Sequence, residues 1–129
     1  MAVAMKLRVG LFGAGVVGGG VCELIQRYVT RAGLSSAGIE IVTVCVKSID
    51  RVRDFKDCDK YKYVTDFNEI LNDSSINCVV ELIGGTTDAK DIVFQSLRNG
   101  KYVVSANKAL IANYLSEIQE ILANHPNSK

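Results

Sequence analysis

The stretch LRVGLFGAGVVGGG (residues 7–20) joins a short β-rich run to the start of a helical pattern. Its first six residues are mostly apolar, and apolar positions then recur at helical spacing up to residue 31. Between the two patterns, Gly13, Gly15 and Gly18 form GxGxxG. In this context the first glycine permits a tight turn, the second lets a phosphate approach the backbone, and the third lets the helix pack closely. The motif predicts a dinucleotide site; a glycine-rich turn without a ligand is the alternative.

Strand-like and helix-like segments alternate along the rest of the chain. The predicted strands are 7–12, 39–46, 63–64, 78–83 and 102–105, and the predicted helices are 16–31, 66–71, 87–99 and 109–124. Alternation of this kind favours right-handed crossovers and a parallel sheet covered by helices on both faces. We therefore predict an α/β, Rossmann-type doubly wound parallel sheet of about five strands in the order 3-2-1-4-5. Its functional crevice should lie at the carboxyl ends of the strands.

Two local features carry further expectations about packing. Thr65 and Asp66 precede the short second helix, and Glu69 follows at a spacing that suits a capping box. Gly19 and Gly20 continue the glycine run inside the first helix, where each lowers helix propensity by about 1 kcal/mol. We expect a closely packed neighbour to explain them.

Length, charge and cysteine usage exclude several classes of function. The 129 residues suit one domain, and 15 Lys and Arg against 14 Asp and Glu give a formal net charge of +1. This balance makes no case for nucleic-acid binding, and no apolar run suits a membrane span or a secretory signal. Four cysteines without a CxxC pair and a single histidine predict no metal site. We expect a reduced, cytoplasmic protein.

The end of the second predicted strand bears on cofactor preference. NAD-preferring sites usually place an acid there to hold the ribose 2′-hydroxyl, but this sequence has Lys47, followed by Arg51 and Arg53. Cations at this place favour a 2′-phosphate and hence NADP. Asp50 leaves NAD open, and a solvated basic loop is the alternative without a ligand.

The ends of the fourth and fifth strands hold the other candidate residues. Gly84 and Gly85 would bring backbone into the crevice beside the nicotinamide half of a cofactor. Glu81, in an apolar strand, either faces that crevice or satisfies backbone donors as a structural residue. Lys108 begins the last helix, where it either contacts a substrate oxygen or is a solvated first-turn lysine.

Three stretches together resemble the cofactor domain of homoserine dehydrogenase. They are GLFGAGVVGGGV (10–21), VVELIGGTTDAK (79–90) and GKYVVSANKALIA (100–112), in the order and spacing of that family. The last two are more specific than GxGxxG. The resemblance implies an oxidoreductase that interconverts aspartate 4-semialdehyde and homoserine with NADH or NADPH, on the route to threonine, methionine and isoleucine.

The resemblance also implies roles for individual residues. Lys47 would face the 2′-phosphate, Ile83 and Gly84 would border the nicotinamide ribose, and Lys108 would bind cofactor and lie near the reacting oxygen as a catalytic residue. The residues implied around the pyrophosphate are Phe12, Gly13, Ala14, Gly15, Val16, Val17 and Gly18. The family more often has arginine where this chain has Lys47, and a lysine makes no bidentate clamp on phosphate. NADP is therefore the favoured cofactor, with NAD as the alternative.

Members of this family carry a second part after the cofactor domain. It supplies the substrate-binding carboxylates, a further catalytic lysine and the dimer interface of a homodimer. Residues 1–129 show no match to that part and lack the final strand of a complete doubly wound sheet. We therefore expect a domain incomplete at its C-terminus that binds dinucleotide but does not turn over homoserine alone. Residual apolar surface should promote self-association.

Two other functions are alternatives to a homoserine dehydrogenase cofactor domain. The first is a related dehydrogenase with the same domain, such as aspartate dehydrogenase, which a substrate assay on the parent protein would separate. The second is a free-standing dinucleotide-binding or regulatory module, which predicts a native chain of the present length.

Overall fold

The computed structural model describes residues 6–31, 38–50, 53 and 58–129. The strands are β1 (Leu7–Phe12), β2 (Ile39–Cys45), β3 (Lys62–Val64), β4 (Cys78–Glu81) and β5 (Tyr102–Ser105). The helices are α1 (Val16–Arg31), α2 (Asn68–Leu71), α3 (Thr87–Arg98) and α4 (Lys108–Asn124), with a 3-10 turn at Cys58–Lys60. The predicted boundaries of β1, α1 and β5 are confirmed, and the others differ by at most two residues.

All the strand pairs are parallel, and the order is β3-β2-β1-β4-β5. This confirms the predicted Rossmann-type sheet and its 3-2-1-4-5 order. The strand order reverses between β1 and β4, because β2 and β3 lie on one side of β1 and β4 and β5 lie on the other. Ligand sites of such sheets lie at the carboxyl ends of the strands on either side of that point. At the outer edge, the Val103 amide donates to the Lys129 carbonyl at 2.8 Å.

Helices cover both faces of the sheet, as the near-continuous apolarity of the strands predicts. On one face, Leu11 and Val44 pack with Cys22 of α1. On the other, Phe12 and Val79 pack in a cluster with residues of α2 and α3. A further cluster joins α3 to α4, with its buried members Ala89, Val93, Phe94, Leu97, Leu110 and Ile121. The sheet is therefore a rigid support for the loops that leave its carboxyl edge.

The expected capping box of α2 is wrong, and so is the expected close neighbour of Gly20. The N-cap of α2 is Phe67, which makes no side-chain cap bond, and the Asn68 amide donates to Asp66 Oδ1 at 2.9 Å. Helix α2 therefore begins too late for Glu69 to occupy the capping-box position. No atom outside the helix backbone lies within 4 Å of a Cβ built on Gly20, so close packing does not explain that glycine.

No helix among the described residues has both the length and the apolarity needed to cross a membrane.

Candidate functional site

The turn between β1 and α1 requires glycine at two of its positions. Gly13 has a φ of +104°, a conformation that residues with a Cβ rarely adopt. A Cβ on Gly18 would lie 2.1 Å from the Gly13 carbonyl oxygen, so the first turn of α1 packs directly on the turn before it. The Gly13 amide also donates to the Cys45 carbonyl at 2.9 Å, which fixes the turn to the end of β2. The first and third motif glycines therefore set the backbone geometry.

Gly15 has a different environment from the other two motif glycines. It is exposed, and a Cβ placed on it would meet nothing within 4 Å. Gly15 directly precedes the N-terminus of α1, whose first turn contains no acidic residue. Unpaired amides and the positive end of the helix dipole favour an anion at such a position. The open space beside Gly15 thus suits a phosphate that approaches the backbone.

The loop that follows β4 lies against this turn. The Leu82 amide donates to the Phe12 carbonyl at 3.0 Å. A Cβ on Gly13 would come within 3.3 Å of Ile83 Cγ2 and of the Leu82 carbonyl. Gly84 and Gly85 are exposed, with φ values of +74° and +72°. The structure therefore brings Ile83 and Gly84 beside the glycine-rich turn, as the sequence predicts for one crevice.

Glu81, the last residue of β4, is fully buried. Its Oε1 accepts from the Ile83 amide at 3.0 Å, and its Oε2 accepts from Ser105 Oγ at 2.7 Å. Of the two predicted roles, the structure supports the satisfaction of nearby donors. Ser105 is its register partner on β5, so the pairing depends on a contact across 24 residues of sequence.

Asn107 connects the β5–α4 turn to the β4 loop, a role that the sequence analysis missed. Its Oδ1 accepts from the Leu110 amide at 3.0 Å and caps α4. Its Nδ2 donates to the Gly85 carbonyl. An asparagine immediately before a predicted helix is a recognisable capping signal, but its second bond follows only from the fold. Lys108, the next residue, is exposed in the first turn of α4.

The loop after β2 leaves the same carboxyl edge of the sheet. Lys47 and Ser48 are exposed, two and three residues beyond the strand. The Arg53 guanidinium donates to the Ser48 carbonyl at 2.6 Å and the Ile49 carbonyl at 3.1 Å. It also stacks 4.6 Å from the centre of the Tyr63 ring. Arg53 therefore braces the loop backbone, and Arg51 lies outside the described residues.

The predicted site residues thus meet at one edge of the sheet. The segment from Phe12 to Gly18 contacts the β4 loop, and Asn107 joins that loop to the turn bearing Lys108. Lys47 follows β2, the strand whose last carbonyl holds the Gly13 amide. The structure gives no contact between Lys47 and Lys108, which lie on opposite sides of the central strand.

Burial disfavours ionisation of three of the four cysteine thiols. Burial raises the pKa values of the Cys22 and Cys45 thiols to about 11, and it also raises the pKa of Cys78. These thiols stay protonated at neutral pH and are poor nucleophiles. Within the described ranges, no group of three or more His, Cys, Asp or Glu side chains could hold a metal ion.

The structure combines a five-stranded parallel sheet with a glycine turn, a helix N-terminus without acidic residues, and glycine-containing loops at the carboxyl edge. These features define a dinucleotide-binding Rossmann domain. Comparison with known proteins agrees with that class. The family model described as "Homoserine dehydrogenase, NAD binding domain" matches residues 13–128. The chain therefore belongs to the family of homoserine dehydrogenase NAD-binding domains.

Individual relatives agree with this assignment. Homoserine dehydrogenase of Synechocystis sp. is 38% identical over 121 residues, covering 94% of this chain and 28% of the relative. The Bacillus subtilis enzyme is 36% identical over 114 residues, covering 87% and 26%. A crystal structure of S. aureus homoserine dehydrogenase superposes with a TM-score of 0.85 at 30% identity, covering 97% of this chain and 32% of that one. The chain thus spans about a quarter of the length of the curated relatives.

Proposed function

We propose that this chain binds NADP or NAD as the cofactor domain of a homoserine dehydrogenase. The observation that carries the proposal is the difference among the three motif glycines. Gly13 and Gly18 are required by the backbone, whereas Gly15 faces open space at an acid-free helix N-terminus. A pyrophosphate bound to the segment from Phe12 to Gly18 would occupy that open space.

The nicotinamide half of the cofactor would lie along the loop after β4. Ile83 and Gly84 would border it there, because Gly84 and Gly85 are exposed and, with their positive φ values and no Cβ, allow a ligand to approach the backbone closely. When bound, the cofactor accepts or donates a hydride at its nicotinamide ring. Oxidation of homoserine to aspartate 4-semialdehyde releases that hydride to NADP⁺ or NAD⁺ and a proton from the hydroxyl.

Lys108 is the candidate for binding the reacting oxygen. Its place at the N-terminus of α4, tied to the β4 loop through Asn107, lets an ammonium group reach the crevice. There it would donate a hydrogen bond to the substrate oxygen and stabilise negative charge on it. We expect the 129-residue polypeptide to bind dinucleotide without oxidising homoserine, because the family resemblance assigns the substrate-binding carboxylates to a second part of the longer proteins.

Lys47 is the candidate for recognising a 2′-phosphate. It is exposed beside Ser48, at the end of β2 where NAD-preferring sites carry an acid. Arg53 contributes indirectly, since its guanidinium is engaged by the Ser48 and Ile49 carbonyls. We infer a preference for NADP that depends on one lysine.

A pair of matched glycine variants tests the proposal. Neither Gly15→Ala nor Gly20→Ala places a Cβ within 4 Å of an atom beyond its chain neighbours and its own helix backbone, so both should fold. Calorimetric titration of the wild-type chain should detect binding of NADPH, and of NADH more weakly. Gly15→Ala should weaken NADPH binding about tenfold, because the methyl group occupies space for the phosphate, while Gly20→Ala should not.

The same titrations contain the results that would overturn the proposal. A folded wild-type chain that binds neither dinucleotide would contradict it. Equal affinities for the Gly15→Ala and Gly20→Ala variants would show that the ligand does not approach Gly15. Incubation with NADP⁺ and homoserine tests the expectation that the 129-residue chain does not oxidise homoserine. Sustained formation of NADPH would contradict that expectation.

A further inference from the structure

Glu81 presents an energetic problem that the proposed function does not solve. Its carboxylate is fully buried at the end of an otherwise apolar strand. Desolvation of a carboxylate is costly, and an apolar side chain of similar volume would fill the strand without that cost. The cost is offset only where the carboxylate makes strong hydrogen bonds in a fixed geometry.

The bonds around Glu81 form a closed ring. Its two carboxylate oxygens accept from the Ile83 amide and from Ser105 Oγ. Ser105 Oγ accepts in turn from the Asn107 amide at 3.0 Å. The Asn107 side chain donates back to the Gly85 carbonyl, which lies two residues beyond Ile83. One buried carboxylate therefore holds the loop after β4 and the turn after β5 together.

From this ring we propose that Glu81 is a positioning residue for the nicotinamide half of the cofactor site. It fixes the Ile83–Gly84 backbone relative to the turn that carries Lys108, and it acts through Ser105 and Asn107 without contacting ligand. This inference rests on the proposed function, since that function places the nicotinamide half at these two segments. The adenosine half, on the β2 side of β1, lies outside the ring.

The arrangement predicts an affinity loss confined to one half of the cofactor. Glu81→Gln keeps the shape of the side chain but replaces one acceptor oxygen by a donor that cannot accept from Ile83 or Ser105. Ser105→Ala removes the hydroxyl that links the two segments and leaves Glu81 in place, whereas Ser105→Thr restores a hydroxyl on a strand-compatible side chain. Lys101→Met is a matched control, because Lys101 is also a buried charged residue but lies at the other end of the sheet.

The experiment measures binding of two ligands to each variant by calorimetry. One ligand is NADPH, and the other is its adenosine half, adenosine 2′,5′-bisphosphate; if wild type binds NADH more tightly, NADH and AMP replace them. Glu81→Gln and Ser105→Ala should weaken dinucleotide binding about tenfold and leave the adenosine half within twofold of wild type. Ser105→Thr should recover most of the loss, and Lys101→Met should change neither affinity.

Circular dichroism first establishes which variants fold. If Glu81→Gln unfolds, Ser105→Ala decides, because it keeps the carboxylate. Affinities for the dinucleotide and its adenosine half that fall together in a folded variant would overturn the positioning role and show a general loss of structure. Unchanged affinities would overturn it as well. A wild-type chain that binds neither dinucleotide would instead contradict the proposed function, and the role of Glu81 with it.

Discussion

The two ends of the parallel sheet each contain a buried charged residue, and they use it differently. At the amino end, the Lys101 ammonium donates to the Asp73 carbonyl at 2.8 Å and the Ile76 carbonyl at 2.6 Å. At the carboxyl end, the Glu81 carboxylate accepts from Ile83 and Ser105, each of which leads into a loop or turn with exposed residues. Lys101 therefore binds carbonyls within the connection between α2 and β4, whereas Glu81 connects the loop after β4 to the end of β5.

The backbone at the two ends shows the same contrast. At the amino end, Asn77 Oδ1 accepts from the Arg8 amide at 2.8 Å and Nδ2 donates to the Lys6 carbonyl at 2.9 Å. At the carboxyl end, Gly15, Gly84 and Gly85 leave exposed backbone with no side chain above it. Both ends therefore have bonded polar groups, but only the carboxyl end adds exposed glycines that leave open space for a ligand beside the bonded Glu81, Ser105 and Asn107.

The largest expected effect comes from Gly18→Ala, which disrupts the backbone packing at the carboxyl end. A Cβ there would lie 2.1 Å from the Gly13 carbonyl oxygen, a backbone atom that moves only with the turn. We expect a loss of about 3 kcal/mol in unfolding free energy and loss of dinucleotide binding. Urea unfolding measures the first, and Gly20→Ala in the same helix should instead stabilise by up to about 1 kcal/mol. Similar stabilities for the two variants would contradict the packing of α1 on the turn.

Paired lysine variants should separate the two ends. Lys101→Met leaves the Asp73 and Ile76 carbonyls without their donor, and we expect it to lower unfolding free energy by about 1–3 kcal/mol. Lys108→Met replaces an exposed side chain and should change stability by less than about 0.5 kcal/mol. Denaturant unfolding of both variants provides the measurement. A larger stability loss from Lys108→Met than from Lys101→Met would reverse the assignment of roles.

Charge reversal of Lys47 should affect one cofactor and not the other. Lys47→Glu places an acid where NAD-preferring sites carry one. We expect affinity for NADPH to fall about tenfold while affinity for NADH stays level or rises. Lys62→Glu is the control, since Lys62 is an exposed lysine at the start of β3. Its charge lowers the pKa of Asp73, so it acts at a different place from Lys47. Equal loss of NADPH affinity in both variants would indicate a non-specific effect of net charge.

The smallest expected effect is a pH dependence shared by both ends. Cys45 lies at the carboxyl end of β2 and Cys78 at the amino end of β4, and burial raises the pKa of each thiol above 9.0. A raised folded pKa gives stability that is present below pH 9 and is lost as pH rises through the folded value, about 11 for Cys45. We expect Cys45 to contribute a decrease on the order of 1 kcal/mol between pH 9 and 11, and Cys22 contributes in the same range because burial also raises its thiol pKa to about 11.

Alanine variants check the origin of that pH dependence. Cys45→Ala and Cys78→Ala should each be less stable than wild type at pH 8, because a buried side chain is truncated. Each should also show a flatter decline in urea-unfolding free energy between pH 9 and 11. A decline as steep as that of wild type in both variants would assign the effect to other groups.

Much of the carboxyl end was predictable from sequence because its determinants are local. The spacing of Gly13, Gly15 and Gly18 between a strand and a helix specifies the turn, and regular alternation of elements specifies the strand order. The resemblance in the Asn107–Lys108 segment pointed to the same edge. Confirmation of the strand order then places all these segments together.

The remaining features were not predictable because they depend on contacts between distant segments. The orientation of Glu81 depends on Ser105, its register partner on β5. Lys101 follows Gly100 and resembles an ordinary surface lysine until the fold brings the Asp73 and Ile76 carbonyls to it. The wrong expectation for Glu69 has a local cause instead, since the Asn68 amide donates to Asp66 Oδ1 and α2 begins only at Asn68.

An amide NMR titration of the 129-residue chain with NADPH would locate the dinucleotide site directly. We expect shift changes clustered at the carboxyl end of the sheet, in Gly13–Gly18, Ile83–Gly85 and Lys108. Asn77 and Lys101 at the amino end should remain unchanged. Shift changes centred on the amino end, or none at saturating cofactor, would contradict the assignment of the dinucleotide site.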